Sequence, residues 1–385
     1  MTTQHGYFLI ADITGYTNYL SKSELDHAQQ TLTALLNLLI KHTRPPLILS
    51  RLAGDAVISY GLRDNFFQGQ TFVEMIEDTY VAFRHAIDLM VLNTTCTCNA
   101  CRNINALDLK FFVHYGAFGI QKLDGHDEMV GADVIVIHRL LKNTVTAKTG
   151  IRAYALYTEA TIQQLGLADI CTLMTPHDED YEHLGVVKSW IQDLRPVWIK
   201  KKDQSHIPFP EKDIILQVAA EITLLPERVW DYLIQPEHFN VLAGGTRTLI
   251  ANRREGRVTE SSSYQCFHGD LVFPQTILEW RPFERILVQI VAPIRVADTF
   301  VRVEYSLKPS DSKTRLVQSF SKADGPLLGR FMANRLFKSM ADVAQHDLDN
   351  FKNHVEADAA ARSPIPQGIA PTPEIVAAAA AESLA

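Results

Sequence analysis

Two aspartates lie where apolar segments of the chain end. Asp12 follows an apolar run in FLIADITGYTNYL (residues 8–20), and Asp55 follows Gly54 in RLAGDAVISYG (51–61). A lone carboxylate removed from water costs several kcal/mol unless it is paired or binds a metal. Two carboxylates on neighbouring strand ends can hold Mg²⁺ or Mn²⁺. The pair predicts such a site. Structural roles are the alternative, a helix cap for Asp12 and turn chemistry for Asp55.

The turn that follows Asp12 has the composition of a phosphate-binding segment. Its residues are Thr14, Gly15, Tyr16 and Thr17, and the sequence beyond them predicts a helix. The first backbone N–H groups of a helix have no partner within it, so they favour an anionic group. Beside a divalent cation, this turn predicts binding of a triphosphate.

Three of the five cysteines form a second candidate metal site. Cys96, Cys98 and Cys101 crowd into TTCTCNACRN, a spacing that could hold a structural Zn²⁺ with a fourth ligand from elsewhere. The candidates for that ligand are His85, His114 and Cys171. A redox pair and free thiols are the alternatives. The cysteines are too few for a secreted disulfide framework.

Hydrophobic periodicity predicts the elements that position these residues. In the first half, strands are predicted at 7–13, 47–62 (two strands joined by a turn at 53–55), 107–120 and 151–157. Helices are predicted at 24–42, 70–92, 131–143 and 158–166. This order predicts helices packed on a mixed sheet.

A different pattern begins at residue 214. A strand at 214–224 and a helix at 225–239 precede strands at 246–252, 257–267, 270–281, 285–291, 298–308 and 313–322, and a helix at 326–355. We therefore expect a first domain at 1–199, a linker at 200–213, a second domain at 214–358 and a disordered Ala/Pro-rich tail at 359–385.

Composition and charge narrow the class of protein. The 385 residues carry a net charge of −7 with no Lys/Arg-rich excess, which argues against nucleic acid as a partner. No run of 18 apolar residues predicts a membrane span. The first 20 residues lack a basic start followed by a long apolar core, so no signal peptide is predicted. A cytoplasmic protein is the expectation.

Four ordered segments over residues 7–160 resemble class III nucleotidyl cyclases, the adenylate and guanylate cyclases. FLIADITGYTNYL resembles their metal-binding opening, and RLAGDAVISYG their Lys-x-x-Gly-Asp element. DLKFFVHYGAFGI resembles their R-x-G-I-H-x-G strand, and GHDEMVGADVIVIHRLL their Asp-x-Trp-Gly-x-x-Val-Asn-x-x-x-Arg segment. The resemblance implies a ferredoxin-like, cyclase-type βααββαβ core in an α+β chain. It also implies a nucleoside triphosphate substrate and an active site formed between two domains, hence a homodimer.

The resemblance assigns roles to individual residues. Asp12 and Asp55 take the places of the two metal ligands, assisted by the Ile13 carbonyl group. Arg139 takes the place of the arginine that steadies the transition-state phosphate. Arg51 and Glu128 take the places of the two residues that select the base.

Two positions depart from the family pattern. Ile135 stands where the family has the asparagine that orients the ribose, and an isoleucine cannot form that hydrogen bond. Arg51 replaces a lysine, which changes a point charge to a planar fork. Asn143 offers an amide one helical turn beyond Arg139. Three outcomes stay open: a working cyclase that forms a cyclic nucleotide and pyrophosphate, a nucleotide- or metal-binding regulatory or signalling domain, and neither.

The segment 214–355 resembles START-like domains (SRPBCC, polyketide cyclase/dehydrase), which have an α+β helix-grip fold. ITLLPERVWDYLIQPEHF matches their opening strand and helix. The resemblance implies a cavity for a lipid-like or aromatic small molecule. The candidate lining residues are Trp230, Phe239, Tyr264, Phe273, Trp280, Phe300, Phe331 and Phe337. Core packing is the alternative for each. Ligand binding is favoured over catalysis, and an enzymatic second domain is a further alternative.

Overall fold

The protein was analysed as a computed structural model. The structure describes residues 3–43, 46–65, 67, 69–123, 126–253, 256–269, 271–294 and 298–362. These residues form two compact units, one ending at Gln204 and one beginning at Ser205. Both units combine helices with a β-sheet, so the predicted α+β class is confirmed. Among the described helices, none has the length and apolar character needed to cross a bilayer.

The first unit contains eight named strands and eight named helices in its described part. The strands are β1 (Gln4–Thr14), β2 (Ile48–Ala53), β3 (Ala56–Leu62), β4 (Asp108–Leu123), β5 (His126–Val130), β6 (Tyr154–Thr158), β7 (Thr175–Tyr181) and β8 (Gly185–Asp193). The helices are α1 (Tyr16–Ser21), α2 (Leu25–Thr43), α3 (Gly69–Asn93), α4 (Asn99–Asn103), α5 (Ala132–Leu140), α6 (Val145–Thr149), α7 (Glu159–Gln164) and α8 (Arg195–Asp203). Apart from the short α4, the order through β4 is the predicted βααββαβ.

Strand β1 lies inside the sheet, whose order is β2-β3-β1-β4-β6-β8-β7, with β5 paired to β4. It runs antiparallel to both β3 and β4. Its apolar residues are buried on both faces, which explains the continuous hydrophobic run in the sequence. Phe8 and Ile10 share a core with Ile137 of α5, while Tyr7 contacts the ring of Phe72 in α3. The two helical layers therefore hold β1, and with it Asp12, in a fixed register.

The end of the first unit differs from the sequence prediction. One last strand was expected before the linker, and the structure has two, β7 and β8, which form an antiparallel pair. Helix α8 then occupies 195–203, part of which was assigned to a linker at 200–213. Two contacts hold this helix: Trp198 is buried, and Lys202 Nζ donates to Asp88 at 2.9 Å. Pro196 near its start is compatible with a helix, because the first turn lacks intrahelical donors.

The second unit consists of one antiparallel sheet and four named helices in its described part. The strands are β9 (Ile214–Ile222), β10 (Arg247–Ala251), β11 (Ser263–His268), β12 (Leu271–Arg281), β13 (Arg285–Val291), β14 (Phe300–Ser310) and β15 (Lys313–Ser321). The helices are α9 (Pro226–Leu233), α10 (Pro236–Leu242), α11 (Leu327–Ser339) and α12 (Ala341–Ala361). The order β10-β11-β12-β13-β14-β15-β9 brings the first strand of the unit beside the last. Leu348, Phe351 and Val355 of α12 are fully buried in the core of this unit.

Four predictions for this unit differ from the structure. The helix expected at 326–355 is two helices that meet at Met340. The helix expected at 225–239 is also two, because Pro236 begins α10 instead of closing α9. The strand expected at 257–267 begins only at Ser263. Helix α12 reaches Ala361, three residues into the predicted tail, and 363–385 lie outside the described residues.

Candidate functional site

The two aspartates approach each other at one end of the β1–β3 pair. Asp12 pairs across the strands with Ala56, the residue that follows Asp55. The Ile13 N–H donates to the Asp55 carbonyl oxygen at 3.3 Å, which ties the turn to β1. That turn has only two residues, and Gly54 adopts φ +61°, a conformation that favours glycine. The hairpin between β2 and β3 is thus what brings the second carboxylate to the first.

The electrostatics of the pair are those of two acids that share one site. Burial raises the pKa of Asp12 above its ordinary value. Burial, and then the negative charge of Asp12, raise the pKa of Asp55 to about 7. Within the described part of the chain, neither carboxylate forms an ion pair with a lysine, arginine or histidine. The two carboxylates therefore raise the energetic cost of full ionisation at this site, and no described ion pair offsets that cost.

Lys110 of β4 is a neighbour that the sequence analysis did not single out. It is the residue opposite Asp12 across the β1–β4 pair. Burial lowers the pKa of Lys110, and the charge of Asp12 opposes that shift. The ammonium group lies 5.4 Å from the centre of the Tyr154 ring. The sequence could have indicated Lys110 as a neighbour, because it alternates with buried residues along the strand.

The turn after Asp12 was expected to lead into a helix whose N-terminus binds phosphate. The helix that follows it is short. Gly15 caps α1 with φ +91°, but α1 has only six residues. Thr14 Oγ1 is buried and has no hydrogen-bond partner among the described residues. Tyr16 lines a hollow with Leu32 and other residues of α2, and Thr17 is exposed. Of these four residues, Thr14 has the side-chain donor best placed to serve a ligand.

The two positions assigned to base selection are joined by an ion pair. Arg51 Nη1 donates to Glu128 Oε2 at 2.6 Å, and Arg51 Nη2 lies 3.4 Å from His138 Nε2. Burial and the charge of Arg51 lower the pKa of His138, which favours its neutral form. The structure thus brings together Arg51 from β2, Glu128 from β5 and His138 from α5.

Helix α5 carries the two remaining candidates on an exposed face. Ile135 is 53% exposed, and it lines an open hollow of about 310 Å³ with His138, Arg139 and Lys142. Arg139 is exposed and available to an anion. Asn143 is not available to a ribose, because its side chain bonds the Leu140 carbonyl group, the Val145 N–H group and the Tyr154 hydroxyl group.

The cysteine cluster has a fourth member that the sequence did not indicate. The Sγ atoms of Cys96, Cys98 and Cys101 and Nδ1 of His27 all lie within 4.8 Å of one another, a group that could hold a metal ion. His27 lies 69 residues before Cys96 on α2, so no local spacing reveals it.

None of the three expected fourth ligands is in this group. His85 is exposed on α3, and Cys171 Sγ contacts the Ala168 carbonyl oxygen. His114 bonds Thr158 Oγ1 at 2.9 Å, and its Nε2 lies 3.4 Å from Asp133 Oδ1.

Most of the proposed pocket aromatics of the second unit lie in its core. Trp230, Phe239, Tyr264, Trp280 and Phe337 are buried, and Phe273 packs against the same cluster. Phe239 stacks on Tyr264, with ring centres 4.8 Å apart. Phe300 is half-buried at the start of β14. Phe331 lies outside the cluster, because it is on the outer face of α11 and 65% exposed.

Comparison with known proteins gives partial matches. A family model described as "Protein of unknown function (DUF2652)" matches residues 32–149, less than half of the chain. "Uncharacterized protein Rv2561/Rv2562" of Mycobacterium tuberculosis (strain ATCC 25618 / H37Rv) is 33% identical over 99 residues. That match covers 26% of this chain and 44% of the relative, so it spans less than half of the relative's length.

Two solved structures are similar to parts of the chain. The adenylyl cyclase CyaB from P. aeruginosa matches with 14% identity and a TM-score of 0.36, over 50% of this chain and 97% of that one. The protein MLL2253 from Mesorhizobium loti matches with 17% identity and a TM-score of 0.29, over 38% of this chain and 98% of that one.

Proposed function

We propose that the first unit binds a divalent cation, Mg²⁺ or Mn²⁺, through Asp12 and Asp55, with the Ile13 carbonyl group as a further ligand. The observation that carries this proposal is the pair of half-buried carboxylates on adjacent strand ends, neither of which forms an ion pair among the described residues. Oxygen donors of this kind fit the preference of these cations. The bound cation would supply Lewis acidity toward phosphate oxygens.

The ligand that we propose beside this cation is a nucleoside triphosphate. Thr14 Oγ1, buried and without a described partner, supports a hydrogen bond to a phosphate oxygen. Lys110 supports the same assignment, because its charge lies next to the aspartates without forming an ion pair with either. Arg139 is exposed and free to meet a phosphate group. Gly15, Tyr16 and Thr17 would then shape the turn.

The reaction class that we propose is cyclisation of the nucleotide. The 3′-hydroxyl group gives up its proton to solvent and its oxygen bonds to the α-phosphorus, the bond from that phosphorus to the oxygen bridging to the β-phosphate breaks, and pyrophosphate leaves. In this scheme Arg139 offsets the charge that develops on phosphate. Arg51 and Glu128 would contact the base. We also propose a homodimer, since the family resemblance implies a site between two domains and the exposed face of α5 is available to a second copy.

One observation favours a second candidate, a binding domain without turnover. Arg51 and Glu128 already satisfy each other at 2.6 Å, so a base must compete with this ion pair. Ile135 supplies no hydrogen bond to a ribose, and removal of one such donor costs about 10²–10³ in rate. In this alternative the unit senses a nucleotide, or serves as a dimerisation scaffold, and does not release pyrophosphate.

For the second unit, with domain bounds of 214–358, we propose a helix-grip, START-like domain that binds an apolar small molecule. The sheet order and the packing of α12 on β9 support the fold assignment. Buried polar atoms support the ligand: Gln275 Oε1 and Gln318 Oε1 have no hydrogen-bond partner among the described residues. A buried acceptor without a partner costs free energy. A mostly apolar ligand with a hydrogen-bond donor would satisfy it.

The test of the first proposal is calorimetric titration of the purified full chain with ATP and with GTP, each with Mn²⁺, followed by analysis for cyclic nucleotide and pyrophosphate. Binding with turnover supports the cyclase, and binding without turnover supports the second candidate. The Asp12→Asn/Asp55→Asn variant should abolish the heat, and the exposed Asp180→Asn variant should leave it unchanged. No heat from the unaltered chain would reject both candidates.

A further inference from the structure

The ligand atoms of His27, Cys96, Cys98 and Cys101 lie close enough together to share one metal ion. His27 Nδ1 lies 3.2 Å from Cys98 Sγ, 3.6 Å from Cys96 Sγ and 4.0 Å from Cys101 Sγ. For Zn²⁺ with ordinary Zn–S and Zn–N bond lengths, a tetrahedron requires N···S separations of about 3.5 Å. The three observed separations lie on both sides of this value. All five cysteines of the chain are unpaired thiols.

The backbone around the cluster holds the ligands in place without a metal. Cys98 is the N-cap residue of α4, and its Sγ atom accepts a hydrogen bond from the Cys101 N–H group at 3.4 Å. Such a donor stabilises negative charge on sulfur. Glu24, three residues before His27, accepts from the Ala100 N–H group at 3.1 Å. The start of α2 is therefore joined to the cysteine segment by a second, independent contact. This contact keeps His27 beside the thiols.

We propose that His27, Cys96, Cys98 and Cys101 bind one structural Zn²⁺ that fastens the start of α2 to the segment between α3 and β4. Thiolate and imidazole ligands select zinc over the hard cations that carboxylates prefer. Four protein ligands fill the coordination shell, which is typical of a structural site and not of a catalytic one. Binding displaces the three thiol protons, so the loaded site carries a formal charge of −1.

The fastened segment lies against the turn that follows Asp12. A Cβ atom added to Gly15 would lie 3.2 Å from the carbonyl oxygen of Ala106, so the two backbones are in close contact there. Helix α1 also contacts α4. Four residues beyond Ala106, Lys110 lies opposite Asp12 in the register of the β1–β4 strand pair. The zinc site is therefore a brace for the β1–α1 turn and for the start of β4. It does not depend on the proposed nucleotide function.

The first test is the metal content of the full chain. Protein produced with added zinc and purified by gel filtration should contain about one zinc per chain by mass spectrometry. The Asp12→Asn/Asp55→Asn variant should keep this zinc, which separates the cluster from the aspartate site. A chain without zinc, with all three thiols free to alkylation or with a disulfide among them, would overturn the proposal.

The second test is the ligand set. After exchange with Co²⁺, the protein should show the thiolate-to-cobalt and tetrahedral bands of a site with three sulfurs and one nitrogen. His27→Ala should weaken Co²⁺ binding by about tenfold or more, because one ligand is lost. His27→Cys should restore binding with a four-sulfur spectrum. His85→Ala, on the exposed face of α3, is the matched control and should change neither property. Unchanged Co²⁺ affinity and spectrum in His27→Ala would overturn the assignment.

The third test measures, by hydrogen exchange, whether the zinc site stabilises the β1–α1 turn. In His27→Ala, amides of residues 15–22 and 98–107 should exchange faster than in the unaltered chain, while β13 should not change. Unchanged exchange in both segments would show that the metal does not support the turn.

Discussion

Asp55 of the first unit and Glu279 of the second are carboxylates largely removed from water, but their surroundings differ. Glu279 is 1% exposed and forms ion pairs with Arg281 and with Arg285. It also accepts from the Ile207 N–H group at 3.1 Å, and His206 Nδ1 lies 3.0 Å away. Asp55 has a second carboxylate as its neighbour and no ion pair among the described residues.

The direction of the pKa follows from these partners. Burial alone raises the pKa of Glu279, but hydrogen bonds and charge from its partners outweigh burial and lower it. At Asp55, burial and the second carboxylate act in the same direction and raise the pKa to about 7. A compensated carboxylate stabilises its own fold, whereas an uncompensated pair is available to an added cation. The comparison separates a structural acid from a candidate binding site without reference to any other protein.

Glu279→Gln is expected to give the largest change. It leaves Arg285, itself 5% exposed, with Glu304 as its remaining ion-pair partner among the described residues, and loss of one partner of a buried pair costs at most about 3–5 kcal/mol. Urea unfolding followed by hydrogen exchange of β12 and β13 measures the effect. Glu221→Gln, at an exposed pair with Arg315, is the control and should cost less than about 1 kcal/mol. A similar small loss in both variants would mean that Glu279 is not structural.

Asp55→Asn should raise the free energy of unfolding, whereas Glu279→Gln lowers it. Without added divalent cation, removal of one of two repelling, half-buried charges should stabilise the first unit by about 2 kcal/mol at pH 8. The same variant should lose the rise in melting temperature that Mn²⁺ gives to the unaltered chain. Thermal melts with and without Mn²⁺ measure both effects, with Asp180→Asn as the control. Destabilisation of the apo form would contradict the description of the pair.

The stabilities of the two units should depend on pH in opposite ways. Because the folded pKa of Asp55 is raised, its contribution is full below its ordinary pKa of 3.8 and is lost as the pH rises through about 7. Because the folded pKa of Glu279 is lowered, its contribution is full above 4.5 and is lost as the pH falls through the folded pKa. Hydrogen exchange is measured without added divalent cation and corrected for its intrinsic pH dependence. Between pH 5 and 7, the free energy of opening of β1 should fall by at most about 1 kcal/mol per pH unit. Parallel slopes in β1 and β13 would remove the distinction.

The smallest change is expected at the Arg51–Glu128 pair. Both side chains are partly exposed, so Arg51→Ala should alter stability by less than about 1 kcal/mol. If this pair contacts the base, the ratio of ATP to GTP affinity should nevertheless change. Calorimetry with each nucleotide checks this, and Arg102→Ala on α4 is a matched control. An unchanged ratio would place the base elsewhere.

Local pattern predicted the elements of the chain well where periodicity was strong. The buried part of β1 is visible as a continuous apolar run, and the apolar stripe of α2 is visible as a period of 3.6 residues. The break in the last helix at Met340 was missed, since no proline or glycine marks it. The strand β7 was missed because exposed polar residues alternate with buried His177 and Glu179, which the hydrophobic pattern does not register.

Contacts between distant residues limited what could be predicted about the sites. His27 joins the cysteines across 69 residues, and Arg285 reaches His206 across 79. Neither pair leaves a signature in spacing. The proximity of Asp12 and Asp55 could be predicted from the sequence, because one follows a buried strand and the other lies in a Gly-Asp turn, and both patterns indicate the end of a strand. Their role as metal ligands stays a prediction.

The measurement that tests the central claim most directly is a titration of the zinc-loaded full chain with Mn²⁺ at pH 8, followed by electron paramagnetic resonance of the free ion. The account predicts saturable binding that is lost in Asp12→Asn and in Asp55→Asn and kept in Asp180→Asn. Equal binding in all four proteins, or no binding in any, would contradict it.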